Sequence, residues 1–268
     1  MTPAPLRGVR AAFVFLTRLP LGGFPYSDAD WRWASAFFPF VGLALGLLAA
    51  GVHALLAPYG ALVAAAFAIT ATILVTGAFH EDGLADSADA LGGGLEPRER
   101  VLEILKDSRL GTYGTTALLL SILFRVVILT ELFGGEVVSS RLFPELALTG
   151  AGWALVCAHV LARVGPVSLM ATLPYATSDE HSKSRHLLGT TWRQAVCAGL
   201  WGAAVLAIAP VPSVGVLAIT ASLVVFTSWF GRRCLARVGG ITGDFLGALE
   251  QAGEVVVLLV LLIVAHHG

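Results

Sequence analysis

The stretch of the chain best equipped for chemistry is His80-Glu81-Asp82-Gly83-Leu84-Ala85-Asp86-Ser87-Ala88-Asp89, closed a few residues later by the glycines Gly92, Gly93 and Gly94. On a helix that continues from the apolar segment before it through Gly83, Asp82, Asp86 and Asp89 fall at i, i+4 and i+7 and share one face, with neighbouring Cβ atoms ~6 Å apart. Anions so placed repel by roughly 3 kcal/mol per adjacent pair at an effective dielectric of about 20, so the pattern recruits a proton or a cation. Carboxylates are hard oxygen ligands and favour Mg²⁺ or Mn²⁺. Glu81, a quarter-turn aside, is a further candidate ligand. The small residues Gly83, Ala85, Ser87 and Ala88 leave room for a bulky phosphate to approach. The bland alternative is a solvated acidic helix end.

Further groups are candidates to complete a pocket. Lys106-Asp107-Ser108-Arg109 sets two cations, a hydroxyl and a carboxylate just before the glycine-containing turn Gly111-Thr112-Tyr113-Gly114, the equipment for gripping a phosphorylated ligand. Gly239-Gly240-Ile241-Thr242-Gly243-Asp244 reads either as a flexible turn that delivers the Asp244 carboxylate to a site, with Glu250 and Glu254 further along, or as a plain helix–helix loop with an N-cap aspartate. Arg125 and Arg163 sit inside apolar segments, where a guanidinium must face a partner or a polar cavity; Arg163 is taken as substrate-binding and Arg125 as structural. His181 and His186 read as solvated loop residues, and the acids and bases from Glu96 to Glu103 as an exposed helix face.

The elements that must position these residues are dictated by composition. Hydrophobic residues make up 56% of the 268, charged residues 13%, and the mean hydropathy is +0.81, which excludes a water-soluble surface of ordinary polarity. Apolar windows long enough to cross ~30 Å of hydrocarbon predict helical spans near 33–57, 61–79, 113–133, 146–170, 194–210, 213–230 and 249–266. The fold class is therefore all-α, a polytopic transmembrane bundle of about seven spans in a single domain, 1–268. Fourteen Lys and Arg residues fall in 1–32, 80–111, 171–193 and 231–248, against Arg141 alone on the other face. That bias puts the N-terminus and the acidic loop 80–111 in the cytoplasm and the C-terminus outside.

Arg7, Arg10, Thr17 and Arg18 share one arc of a helical wheel, so 1–32 is expected to lie along the inner surface of the membrane and to be retained, since no signal-peptide core or cleavage site follows Ala11 to Leu16. Cys157, Cys197 and Cys234 are isolated and read as packing residues. Neither an internal repeat nor a soluble module is evident, and no pattern points to nucleic acid or to cobalt ligation.

Taken together, Glu81-Asp82-Gly83-Leu84-Ala85-Asp86-Ser87-Ala88-Asp89 and Lys106-Asp107-Ser108-Arg109-Leu110-Gly111 resemble the cobalamin synthase family of adenosylcobinamide-GDP ribazoletransferases. The resemblance extends from Phe15-Leu16-Thr17-Arg18-Leu19-Pro20 through Met170-Ala171-Thr172-Leu173-Pro174-Tyr175-Ala176 to Gly240-Ile241-Thr242-Gly243-Asp244. It implies a Mg²⁺-dependent enzyme of the bacterial inner membrane that joins adenosylcobinamide-GDP to α-ribazole or its 5′-phosphate and releases GMP, with its oligomeric state open.

On that reading Asp82, Asp86, Asp89 and Glu81 are the metal ligands. Lys106, Ser108, Arg109, Arg163 and Asp244 bind substrate, and Asp107 or Asp244 completes the metal shell or accepts the hydroxyl proton. Two other readings remain at this level. A CDP-alcohol phosphatidyltransferase also hangs aspartates from a membrane helix, but Ala85-Asp86 stands where its signature has Ala-Arg. A divalent-cation or solute transporter would place its acids mid-span in two related halves.

Overall fold

The computed structural model describes residues 4–22, 26–94, 96–107, 109–132, 137–143, 145–176 and 189–267. Helix α1 (Ala4–Leu16) packs on α2 (Asp28–Ala34), where a Cβ on Gly8 would lie 2.7 Å from that of Trp33. Arg7 Nε donates to Asp30 Oδ1 at 2.9 Å, and Ser27 and Asp30 form a reciprocal capping box that starts α2. Through a short 3₁₀ turn α2 runs into α3 (Phe38–Leu56), and a second 3₁₀ turn leads to α4 (Ala61–Thr76).

Next come α5 (Phe79–Gly92), α6 (Arg98–Ile104) and α7 (Thr112–Glu131). A small antiparallel hairpin follows, β1 (Val137–Ser139) with β2 (Ala147–Thr149), in register Val138 opposite Leu148. The chain closes with α8 (Gly150–Leu161), α9 (Val164–Thr172), α10 (Trp192–Ile208), α11 (Ser213–Val238) and α12 (Gly243–His267).

This is a helical bundle with the length and apolarity of a polytopic membrane protein. Asp28–Tyr59, Thr112–Glu131, Gly150–Thr172, Ser213–Val238 and Gly243–His267 each suffice to cross a bilayer, and α4 with α5 makes a sixth if that bent pair is one span. The 17 residues of α10 reach about 26 Å at ~1.5 Å per residue, slightly under the ~30 Å of hydrocarbon.

In a bilayer, apolar burial does not drive helices together, so close backbone approach matters more. Gly42 and Gly46, one turn apart on α3, supply it against α8: a Cβ on Gly46 would lie 2.7 Å from Val156 Cα. Helix α8 is buried along nearly its whole length, from Ala151 to Leu161.

Two of the sequence-based boundaries shift for physical reasons. The second span stops at Thr76 instead of running on to residue 79 and through Gly83, because Gly77 and Ala78 both take left-handed backbone and turn α5 by 90° from α4. The last span begins at Gly243 rather than near 249, because Thr242 Oγ1 accepts from Phe245 N and caps the helix there.

The start of α6, the end of α11 and the segment after α9 meet at one place. Arg98, heading α6, donates to the carbonyls of Val238 and Ala176, both at 2.8 Å, and so ties together the ends of α11 and α9. Ile241 N donates to Pro174 O at 2.9 Å and Ala176 N to Ile241 O at 2.8 Å in the same place. At the opposite end, Arg141 N donates to Ile208 O at 2.9 Å and its side chain to Val211 O, which docks the β-hairpin on the α10–α11 connection.

Candidate functional site

Helix α5 carries the acidic motif, and its path is set by the elbow before it. Gly77 has φ 69° and Ala78 φ 58°. A left-handed alanine costs about 1–2 kcal/mol, so the elbow is held by its surroundings. Arg18 supplies part of that hold: its backbone N–H donates to Val75 O at 2.8 Å, and its Nη2 to Gly77 O at 3.3 Å. Beyond the elbow α5 crosses α12 at two glycines. A Cβ on Gly83 would stand 2.9 Å from Asp244 O, and one on Gly247 would stand 3.3 Å from His80 O. The close crossing brings Asp244 alongside the acidic face of α5.

The helical spacing of the three aspartates holds, since α5 is continuous from Phe79 through Gly92. Asp82 is exposed, while Asp86 and Asp89 are half-buried. Asp86 stands in the field of three other carboxylates, those of Asp82, Asp244 and Asp89. Among the described residues, no side chain or backbone N–H donates to Asp82 or Asp86.

Asp89 is different. Its Oδ2 accepts from Gly111 N at 2.7 Å and its Oδ1 from Gly114 N at 2.8 Å, so both oxygens cap the start of α7. It couples the C-terminal end of α5 to the loop before α7 and is a weaker candidate ligand than the sequence pattern implied. The cap of α12 is Thr242, whose Oγ1 accepts from Phe245 N at 3.3 Å, so Asp244 is a first-turn residue and not the N-cap.

Glu81 does not join the aspartates. It is buried, and its Oε1 accepts from Arg125 Nη2 at 3.4 Å. Arg125 in turn meets Glu254 Oε2 at 3.0 Å. Arg163 pairs with Glu250 at 2.7 Å and with Glu254 at 3.4 Å, His159 contacts Glu254, and His80 lies 3.9 Å from Glu250. A buried network of charges thus links α5, α7, α8 and α12.

The sequence reading placed Arg163 with the substrate, but in the structure its charge is matched by two glutamates. That reading does not single out His159, and it assigns no role to Glu250 and Glu254. The signal was present: His159 and Arg163, and Glu250 and Glu254, are i, i+4 pairs of opposite type within apolar segments. His159, Glu250 and Glu254 bring ligand atoms within 4.8 Å of one another. The cations Arg125 and Arg163 already neutralise those carboxylates, and added positive charge there would be opposed by both guanidiniums. The network is therefore a poorer cation site than the aspartate face, whose charges are unmatched.

The loop that carries Lys106 and Arg109 is exposed. Arg109 Nη2 meets Asp107 Oδ2 at 2.6 Å, and its Nε lies 3.0 Å from the same carboxylate. Side-chain and backbone hydrogen bonds from Arg109 hold the Asp107 carboxyl down at about 2. So depressed a group is a poor proton acceptor at neutral pH, which removes Asp107 as the better candidate base. Lys106 is exposed on the same loop. Ser108, and the loop histidines His181 and His186, lie outside the described residues.

Comparison with known proteins supplies the remaining finding. Residues 8–262 match the family described as cobalamin-5-phosphate synthase. A protein of Shewanella amazonensis named adenosylcobinamide-GDP ribazoletransferase is 39% identical, the match covering 94% of this chain and 93% of that one. Proteins of the same name from Polaromonas sp. and Vibrio cholerae are each 37% identical, over 91% and 96% of this chain and 92% and 93% of theirs. No solved structure matches the chain.

Proposed function

Since the chain belongs to the cobalamin-5-phosphate synthase family, we infer that it is a membrane-embedded ribazoletransferase, joining adenosylcobinamide-GDP to α-ribazole or its 5′-phosphate and releasing GMP. The full-length similarity to relatives that carry this activity in their names supports it over a phosphatidyltransferase or a transporter. In this reaction a ribazole hydroxyl attacks the phosphorus that bears the corrinoid arm. The bond from that phosphorus to the bridging oxygen breaks, and GMP departs with that oxygen.

The observation that carries the proposed site is the set of unmatched carboxylates at the crossing of α5 and α12. Asp82, Asp86 and Asp244 form an all-oxygen donor set whose mutual repulsion a hard divalent ion relieves, so the residues fit Mg²⁺, or Mn²⁺ in its place. When bound, Mg²⁺ supplies neutralisation of the diphosphate charge.

Other roles fall to the chain itself. Lys106 and Arg109 attract the substrate phosphates at the face where the basic loops meet. Asp89 fixes the loop that carries them relative to α5. An oxygen of Asp244 takes the hydroxyl proton. Gly83 and Gly247 keep α5 close enough to α12 for Asp244 to act with Asp86. The fourteen-to-one distribution of basic residues favours a cytoplasmic position for this face, in the bacterial inner membrane, with the C-terminus outside.

The test is transfer in proteoliposomes, followed as GMP release from adenosylcobinamide-GDP with α-ribazole or its 5′-phosphate. Activity should vanish when divalent ions are chelated and return with Mg²⁺. Asp86→Asn, shown to insert and fold, should abolish turnover. Near-normal GMP release by that variant would eliminate the aspartate site, and transfer by wild-type protein in chelator would eliminate the metal.

A further inference from the structure

On the side of Asp82 away from Asp244 and α12 the structure holds a pocket of about 630 Å³, lined by the end of α1, α2 and the α4–α5 elbow, with Asp82 part of the lining. Phe15, Trp31 and Phe79 form its aromatic wall, Phe15 meeting Phe79 at 5.5 Å and Trp31 at 6.4 Å between ring centroids, both edge-to-face. Arg18 is the cation of the lining. Among the described residues its guanidinium has one acceptor, the Gly77 carbonyl at 3.3 Å, which leaves most of its five donors for a ligand. The side chain lies directly over Gly77, where any Cβ would collide with Arg18 Nε. The left-handed glycine therefore both turns the chain and holds the guanidinium at the pocket.

Aromatic rings with one fixed guanidinium suit a flat aromatic base joined to a phosphate, because the rings offer stacking surface and the planar fork matches phosphate oxygens. A volume near 630 Å³ falls within the ~300–1,000 Å³ of small-ligand pockets and accepts a nucleotide. We propose that this pocket, with Arg18 on the phosphate and Phe15, Trp31 and Phe79 around the base, is a binding site for a phosphorylated aromatic nucleoside delivered to Asp82. The proposal rests on the ribazoletransferase reading, which supplies two ligands of that chemistry: ribazole 5′-phosphate and the guanylate half of adenosylcobinamide-GDP.

Equilibrium binding of GMP and of α-ribazole 5′-phosphate to the purified full-length protein tests the pocket whether or not turnover is seen. Arg18 is exposed, and Arg18→Ala keeps the backbone N–H bond to Val75 O that holds the elbow, so the variant should fold. It should weaken one of the two ligands about tenfold, while Arg18→Lys restores part of the loss. Arg100→Ala, which removes an exposed arginine paired with Glu103 and absent from the pocket lining, should leave both affinities unchanged.

Weakening of ribazole 5′-phosphate, with unphosphorylated ribazole unaffected, assigns the pocket to the acceptor; weakening of GMP assigns it to the guanylate. If neither affinity moves, or if Arg100→Ala has the same effect, the pocket proposal is overturned. Absence of transfer by wild-type protein overturns the ribazoletransferase reading, while an Arg18-dependent loss of nucleotide binding still supports the pocket.

Discussion

Replacing Arg125 with methionine should be among the most damaging single changes available in the interior of this bundle. The side chain is 1% exposed and holds Glu254 at 3.0 Å and Glu81 at 3.4 Å. In Arg125→Met, Glu254 keeps His159 and Arg163. Among the described residues Glu81 keeps no partner: its Oε1 loses Arg125, and its Oε2 has no hydrogen-bond partner to begin with. Removing one member of a buried pair costs about 3–5 kcal/mol, because the charge left behind stays desolvated.

At roughly 2–4 °C per kcal/mol for a chain of this size, the unfolding midpoint should fall by roughly 6–20 °C. Arg125→Met with Glu81→Gln removes both charges and keeps the shape, so roughly half or more of the loss should return. Thermal unfolding in detergent, followed by tryptophan fluorescence on protein recovered from the membrane fraction, reads both numbers. A single variant within about 1 kcal/mol of wild type, or a double variant no more stable than the single, would refute the reasoning, since either result means the guanidinium does not hold a desolvated Glu81.

Other expectations follow from the site. Asp89→Ala removes both acceptors at the start of α7 and should cost about 1–2 kcal/mol, with faster tryptic cleavage at Lys106 and Arg109; unchanged cleavage would mean that Asp89 does not hold the loop. Gly83→Ala places a Cβ 2.9 Å from Asp244 O and should lower turnover while costing about 1–3 kcal/mol, whereas Gly51→Ala, whose Cβ meets no atom within 4 Å, should be neutral or slightly stabilising. Equal effects of the two glycine changes on GMP release would dissociate the α5–α12 crossing from catalysis. The Asp107 carboxyl is lowered to about 2, so its ion pair with Arg109 is intact above the ordinary carboxylate range and is lost only as pH falls toward that value. Asp107→Asn should therefore leave the shape of the pH–rate profile unaltered between about pH 5 and 8, and the disappearance of an ionisation in that window would restore Asp107 as a base.

Composition and periodicity alone determined that the chain folds as a helical membrane bundle, because apolar stretches of that length have no stable place in water and must satisfy their backbone within each segment. The same reading put Asp82, Asp86 and Asp89 on one helical face, since a 3.6-residue period relates neighbours on the same element wherever that element lies. What covers each face was decided only in three dimensions. Arg125 meets Glu81 across 44 residues and Glu254 across 129, and Asp89 reaches Gly114 across 25, separations that carry no local signal. The glycine elbow at 77 and 78 turned α5 out of the line of α4, and the glycine crossing at 83 and 247 set Asp244 beside Asp86. Spacing fixes neighbours within a helix, and packing between helices selects which carboxylates find a cation of the protein's own and which stay unmatched.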